Sequence, residues 1–264
     1  MEKIFERLQK VRTMAPLIHH ITNYVTVSAC ADVTKCFGAS PVMADAVEEV
    51  QEMTNIANAL VLNIGTLNSN IIESMKVAGK QANKKQIPVV LDICGVGATT
   101  FRNDKAKELL ASIKITVLKG NASEIATIAG LETQTKGVDA GAVETNITDL
   151  AKNLATKLNV VGVITGVEDI VSDGKDTYVI KNGCSTMGDI VGTGCMSSSI
   201  VGTFCAIEKD YALACVSALV CFEICAELAN KESCGLGDFK VKLFDKVLSL
   251  NETIINEKKN FMLV

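Results

Sequence analysis

The residues best able to do chemistry in this sequence stand where apolar runs end. Asn63-Ile64-Gly65-Thr66, Asp92, Lys119-Gly120-Asn121 and Thr165-Gly166 each close a stretch rich in Val, Leu and Ile. Singly, each is ordinary turn chemistry. Their recurrence at one topological place points to a binding edge, because an open parallel sheet takes ligands beyond the carboxyl ends of its strands. The strongest single feature is Gly188-Asp189-Ile190-Val191-Gly192-Thr193-Gly194-Cys195, which runs straight into a long apolar stretch. Glycines at 192 and 194 let the amides of Gly192, Thr193, Gly194 and Cys195 turn toward one point at a helix N-terminus, a site for an anion such as a transferring phosphoryl group. A tight entry into a packed helix is an equal reading, since Ser197, Ser198 and Ser199 suit close packing. The segment is not a Walker A loop, because the Gly-Lys-Ser/Thr ending is missing.

Cys195 falls at the start of that helix, where free amides and the dipole favour a thiolate. This makes it a candidate base or polar anchor, against the alternative of a buried structural cysteine. Asp92 and Glu124 follow neighbouring apolar runs and offer hard oxygen ligands for Mg²⁺, directly or through water. Glu124 serves equally as a first-turn charge three residues after a capping Asn121. The two histidines, His19 and His20, are adjacent and so point in different directions on any regular element, which makes a poor metal pair. Asn23 either caps the next helix or presents its amide to a ligand.

These residues need a scaffold, and the pattern supplies one. The spacing predicts strands over 59–65, 88–94, 115–121 and 160–166, and helices near 69–83, 103–113, 122–130 and 146–158. Strands apolar on both faces that alternate with helices imply a mostly parallel sheet covered on both sides. The expected fold is α/β, a three-layer α/β/α sandwich in a single domain over 1–264. Residues 169–183 break the rhythm with a hairpin signal at Asp173-Gly174, which adds antiparallel strands at one sheet edge. Beyond Cys195 the pattern is helical, near 195–207, 210–230 and 241–257. At the N-terminus Ile4, Leu8 and Val11 recur at helical spacing among charges, which reads as a surface helix rather than a signal peptide.

Composition narrows the class. With 264 residues the chain is long enough to bury a substantial core. A net charge of −4 and a pI near 5.4, without a basic block, argue against a nucleic-acid partner. The ten cysteines lie mostly in apolar stretches without CxxC pairs and read as reduced core residues of a cytoplasmic protein. On that reading the N-x-S/T triplets at Asn121, Asn146 and Asn251 are accidental. Ile190 to Ile207 runs 18 residues without a charge but holds three Gly, three Ser and two Thr, and the next apolar run is broken by Glu223 and Glu227. Both are expected to be core helices rather than bilayer spans.

Taken in order, PLIHHITNYV (16–25), GASPVMA (38–44), ALVLNIGTL (59–67), VVLDICGVGAT (89–99), KGNASEIA (119–126), KGVDA (136–140), ITG (164–166) and GTGC (192–195) resemble the hydroxyethylthiazole kinase family, of the ribokinase-like superfamily. The resemblance runs from near the N-terminus to at least residue 239. It implies transfer of the ATP γ-phosphoryl group to the hydroxyl of 4-methyl-5-(2-hydroxyethyl)thiazole, in thiamine biosynthesis and salvage. It further implies Mg²⁺ and a homotrimer with active sites between subunits. By position, Asn23, Met43, Gly65, Thr66 and Gly192 match the thiazole site, and Lys119, Asn121, Thr165 and Gly166 the nucleotide site. Asp92 and Glu124 match the magnesium region, and Cys195 stands where other ribokinase-like enzymes carry a catalytic Asp.

The sequence departs from the family pattern in three places. Asp92-Ile93-Cys94-Gly95 stands for Asp-Pro-Val-Gly, Lys119 for an Arg, and Asp189-Ile190-Val191-Gly192 for Lys-Val-Thr-Gly. The losses near the triphosphate bear on ATP affinity more than on reaction type, and Lys119 keeps the charge without the bidentate fork of Arg. The nearest alternative is another small-alcohol kinase of the same fold, such as a hydroxymethylpyrimidine kinase. The apolar Pro41-Val42-Met43-Ala44 suits a flat heteroaromatic better than a sugar. A thiol enzyme using Cys195 lacks a base, and a binding-only trimer would hold ATP without consuming it.

Overall fold

Parallel strands that are apolar on both sides cannot face water, so helices must cover each face. The computed structural model of the chain, which describes residues 3–130 and 146–264, has this arrangement. The first half runs α1 (Ile4–Met14), β1 (Leu17–Ile21), α2 (Val27–Cys36), β2 (Ser40–Val42), α3 (Val50–Ile56), β3 (Ala59–Asn63), α4 (Ser69–Lys85), β4 (Val89–Asp92), α5 (Thr100–Ser112) and β5 (Val117–Asn121). Then follow α6 (Ala122–Ala129), α7 (Ile147–Leu158), β6 (Val161–Thr165), β7 (Asp169–Ser172) and β8 (Thr177–Ile180). The remainder is α8 (Thr186–Asp189), α9 (Thr193–Cys205), α10 (Tyr211–Glu232), α11 (Leu236–Ser249), α12 (Glu252–Lys258) and β9 (Phe261–Leu263). The KGVDA segment lies outside the described residues.

The strands form one sheet in the order β2-β1-β3-β4-β5-β6-β7-β8-β9. The first six are parallel and the last three join antiparallel. Alternation divides the strand side chains between two cores. Val61, Val90, Val117 and Val163 pack with Met196, Ile200 and Phe222 of α9 and α10, whereas Leu60, Leu62, Leu91 and Leu118 pack with Met75, Leu109 and Leu154 of α4, α5 and α7. The three layers follow from that parity.

The expected elements are present, with two corrections at the C-terminal end. The amphipathic stretch near 241–257 is two helices, interrupted at Leu250, where Asn251 caps α12 by accepting the Ile254 amide at 3.0 Å. The tail is not wholly helical, because β9 pairs with β8 and ends the sheet. The triplets at Asn121, Asn146 and Asn251 have a structural explanation, since each Asn is a helix N-cap, a residue type favoured there by about 1 kcal/mol. Helix α1 buries Ile4, Leu8 and Val11 as its spacing implies. Helix α10 is long and apolar enough to cross a membrane, but 83% of its apolar window is buried in the protein, so it is a core helix. Its two acids are used internally. Glu223 faces Asp169, and Glu227 accepts from Asn182 and the Gly183 amide at 2.8 and 3.0 Å.

Candidate active site

The site is a product of strand register. Asn63, Asp92 and Lys119 are Cα partners in one row across β3, β4 and β5, and Asn121 pairs with Thr165 of β6 one step further along. Asn63, Asp92 and Lys119 lie two residues after Val61, Val90 and Val117, so all three side chains emerge on the face that carries α9. Helix α9 lies close on that face because a Cβ at Gly202 would collide with the Val61 side chain. Its first turn therefore sits directly over the polar row.

At that turn Gly192 has φ +99° and a Cβ there would lie 2.6 Å from Thr26 Cγ2, so only glycine fits without displacement. The first bond of the helix runs from the Met196 amide to the Gly192 carbonyl at 2.8 Å. The amides of Thr193, Gly194 and Cys195 precede it, and such first-turn amides lack intrahelical partners. The Thr193 hydroxyl is otherwise engaged, donating to the Met187 carbonyl at 2.8 Å, which leaves the amide as that residue's contribution to an anion hole. The Cys195 sulfur receives the Nδ2 groups of Asn23 and Asn63 at 3.3 and 3.4 Å. A hydrogen bond from the Cys94 thiol is the main cause holding the Cys195 thiol down at about 6, assisted by Thr26 and Lys119 against the opposing effects of burial and Asp92.

Lys119 and Asp92 are both buried, with Nζ 3.6 Å from Oδ2. Burial opposes the ammonium, yet Asp92, Cys195 and Glu124 together keep Lys119 above its ordinary value. Its Nζ also lies 3.9 Å from where a Cβ on Gly194 would stand, so the charge faces the helix terminus. Asp92 Oδ2 accepts the Ser198 hydroxyl at 2.6 Å. Glu124 closes a capping box with Asn121 and accepts the Gly95 amide at 2.7 Å. Burial and the charge of Asp92 push its carboxyl up.

The structure thus gathers Asn23, Gly65, Asp92, Lys119, Glu124 and the 192–195 loop. A Cβ on Gly65 would lie 3.2 Å from the Asn23 side chain, and Thr66 Oγ1 accepts the Tyr24 amide at 3.2 Å. Met43 stands half-buried just beyond β2, two strands from β3, and Thr165 and Gly166 end β6 on the other side. The two histidines are structural. Each is buried, and His19 bonds Thr54 and the Ala44 carbonyl through its two ring nitrogens. Burial holds His20 down at about 4, so it is neutral near pH 7.

Sequence reasoning missed three contributors. Arg102, on α5, clips two strand-end loops together by donating to the carbonyls of Ile64, Cys94 and Gly65 at 2.8, 3.0 and 2.8 Å. Thr26 is held by Asn23 Oδ1 at 3.0 Å and sits against Gly192. Cys94 is the main influence lowering the Cys195 thiol. Nothing local marks these side chains, because Arg102 reaches back 38 and 37 residues to Ile64 and Gly65 and Thr26 meets Gly192 from a distant part of the chain. A recess of about 470 Å³ lined by Asn83, Lys114, Asn159 and Asp173 lies at the opposite end of the strands, away from every group described above.

A mostly parallel sheet covered by helices on both faces, with a glycine-bounded helix N-terminus over its strand ends, is a ribokinase-like fold. The fold is shared with a ribokinase-like superfamily protein from Enterococcus faecalis V583, at a TM-score of 0.64 and 13% identity over 92% of this chain and 88% of the other. More narrowly, the chain belongs to the hydroxyethylthiazole kinase family, whose sequence profile matches residues 8–253. It is 51% identical to a hydroxyethylthiazole kinase of Methanosarcina acetivorans over 97% of this chain and 98% of that one. A solved hydroxyethylthiazole kinase from Pyrococcus horikoshii OT3 superposes with a TM-score of 0.92 at 39% identity, covering 100% of both chains.

Proposed function

We propose that the chain transfers the γ-phosphoryl group of ATP to the hydroxyl of 4-methyl-5-(2-hydroxyethyl)thiazole, giving the phosphate that thiamine synthesis uses. The observation that carries this reading is the convergence of Lys119, Asp92 and Cys195 on the first turn of α9. Phosphoryl transfer proceeds through a loose transition state, so a site accelerates it mainly by positioning and by neutralising charge. The amides of residues 193–195 and the Lys119 ammonium face the place where that charge develops. The alcohol oxygen bonds to Pγ as the bond from Pγ to the β–γ bridging oxygen breaks, ADP leaves, and the alcohol proton passes to Cys195 Sγ.

Asn23, Met43, Gly65, Thr66 and Gly192 hold the thiazole, and Asn121, Thr165 and Gly166 join Lys119 at the nucleotide. Asp92 and Glu124 suit a hard divalent cation, because burial first and the charge of Asp92 second raise the Glu124 carboxyl, and positive charge between the two would relieve both effects. Both Glu124 oxygens accept backbone amides and retain lone pairs for a metal or its waters. Mg²⁺ would supply charge neutralisation at the phosphates. A homotrimer with sites between subunits is supported by apolar side chains left exposed beside the site, Tyr24 at 77%, Val25 at 60% and Val191 at 72%.

The test is ATP consumption with and without the thiazole alcohol and Mg²⁺, beside hydroxymethylpyrimidine and a sugar as rival acceptors. Turnover that requires the thiazole alcohol is expected, and preference for either rival refutes the assignment. Sedimentation at assay concentration checks the assembly, a fully active monomer being the adverse result.

A further inference from the structure

We propose that Arg102 is a positioning residue for the phosphoryl transfer, which fixes the thiazole loop and the carboxylate of Glu124 from behind through one guanidinium and so sets the two halves of the site together. The inference deepens the function proposed above and rests on it for the consequence to turnover, though not for the coupling of the two loops.

Arg102 stands in the first turn of α5, where its own amide donates to the hydroxyl of the capping Thr99 at 3.3 Å. Its side chain leaves the helix and donates through Nη1 to the Ile64 and Cys94 carbonyls at 2.8 and 3.0 Å, and through Nη2 to the Gly65 carbonyl at 2.8 Å. No carboxylate pairs with it among the described residues, so backbone oxygens alone hold this cation. The guanidinium lies against Gly95, which has φ +81° and where a Cβ would stand 3.0 Å from Nη1. Ile64 and Gly65 belong to the loop after β3, and Cys94 and Gly95 to the loop after β4.

A trans peptide is planar, so its N–H points away from its C=O. Among the described residues no peptide is cis, and holding the carbonyls of Ile64, Gly65 and Cys94 therefore aims the amides of Gly65, Thr66 and Gly95 to the side opposite Arg102. The Gly65 amide donates to Asn63 Oδ1 at 2.8 Å, and the same oxygen accepts Asn23 Nδ2 at 3.0 Å. The Gly95 amide donates to Glu124 Oε1 at 2.7 Å. Through two peptide planes one side chain thus orients Asn63 on the thiazole side and Glu124 on the magnesium side, touching neither. A neutral side chain suffices where a single segment is tied. Asn83, at the other end of the strands, accepts the Lys114 amide at 2.7 Å and donates to the Lys114 carbonyl at 2.8 Å. Reaching carbonyls on two loops at once takes the planar fork of an arginine, which the point charge of a lysine does not reproduce.

The full-length protein, Arg102→Lys and Leu109→Ala are compared by amide hydrogen exchange, urea unfolding and steady-state kinetics. Leu109, buried in the core on the same helix, is the control for lost stability alone. In Arg102→Lys, exchange should quicken over 63–66 and 93–97 together and keep its native rate over 192–195. KM for the thiazole alcohol and the Mg²⁺ concentration for half-maximal rate should each rise about tenfold or more, as expected for groups that orient ligands from behind, while the Kd of metal-free ATP stays the same. Leu109→Ala should lower the urea midpoint and move neither constant. In the native protein the thiazole alcohol alone, without Mg²⁺ or nucleotide, should slow exchange over 93–97 as well as 63–66, a reading that needs neither turnover nor a folded variant. Protection confined to 63–66, loosening of one loop only, native constants in Arg102→Lys, or equal changes in Leu109→Ala would each overturn the proposal. Protection of neither segment by the alcohol, with both loops loosened together in Arg102→Lys, refutes the thiazole assignment and leaves the coupling of the loops standing.

Discussion

Lys119 and Asp92 are Cα partners on adjacent strands, and their side chains, each 3% exposed, hold opposite charges 3.6 Å apart at the centre of the site. Removing one partner of such a pair strands a buried charge, which costs about 3–5 kcal/mol. Lys119→Met should lower the urea midpoint accordingly, and adding Asp92→Asn should restore most of the stability but none of the activity. An unchanged midpoint in Lys119→Met would show that the pair carries no structural weight. Lys119→Arg, which keeps the charge, should retain part of the turnover.

Glu124 combines a cap and a proposed metal role, and the two separate by substitution. Glutamine is also a capping-box residue, so Glu124→Gln should leave stability nearly unchanged. The same variant, like Asp92→Asn, should raise the Mg²⁺ concentration needed for half-maximal rate. Magnesium titrations that superpose on the native curve in both variants would reduce the two carboxylates to structural parts.

Because the Cys195 thiol is held at about 6, it is protonated below that pH and cannot accept the alcohol proton. kcat/KM should therefore rise with pH through about 6 and level off above it. Cys94→Val, by deleting the main cause of the lowered value, should move that limb to higher pH. Cys195→Ser should abolish the limb with some rate retained, and Cys195→Asp should keep substantial activity. Gly194→Val, placed against Lys119 and the phosphoryl site, should be far worse than either. A limb unmoved in Cys195→Ser would assign the titration elsewhere.

Gly192→Ala should damage both folding and turnover, since the φ of +99° costs a side chain about 1–2 kcal/mol and the new Cβ lies 2.6 Å from Thr26 Cγ2. Adding Thr26→Ser removes that methyl and should recover the steric part while leaving the backbone part. Thermal melting and single-turnover rates of the three variants separate the contributions.

Glu223, buried in α10, has no hydrogen-bond partner for Oε2 among the described residues and faces Asp169, and burial raises its carboxyl well above the ordinary range. Below the unfolded value both states hold the proton. Above it the unfolded chain releases a proton that the folded chain keeps, so stability falls with rising pH, by about 1.4 kcal/mol per unit, until the folded carboxyl ionises. Glu223→Gln should raise Tm, and the gain should grow as the pH rises above the ordinary glutamate value of about 4.3. A gain independent of pH would mean that packing rather than protonation is responsible.

Much of this molecule is legible in its letters because the relevant physics is local. The apolar runs of the strands on both faces, the capping Asn121 and the glycine entry to α9 constrain a few neighbouring residues each, and they foretell the layers and the binding edge. Strand order and register are not local. That Asn63, Asp92 and Lys119 share one row, that Asn23 meets a sulfur 172 residues away, and that Ser198 serves Asp92 rather than only packing depend on which strands lie side by side and how closely α9 approaches them. The C-terminal β9 and the clip made by Arg102 were hidden for the same reason: their hydrogen-bond partners are distant in sequence, and only the closed sheet brings them within reach.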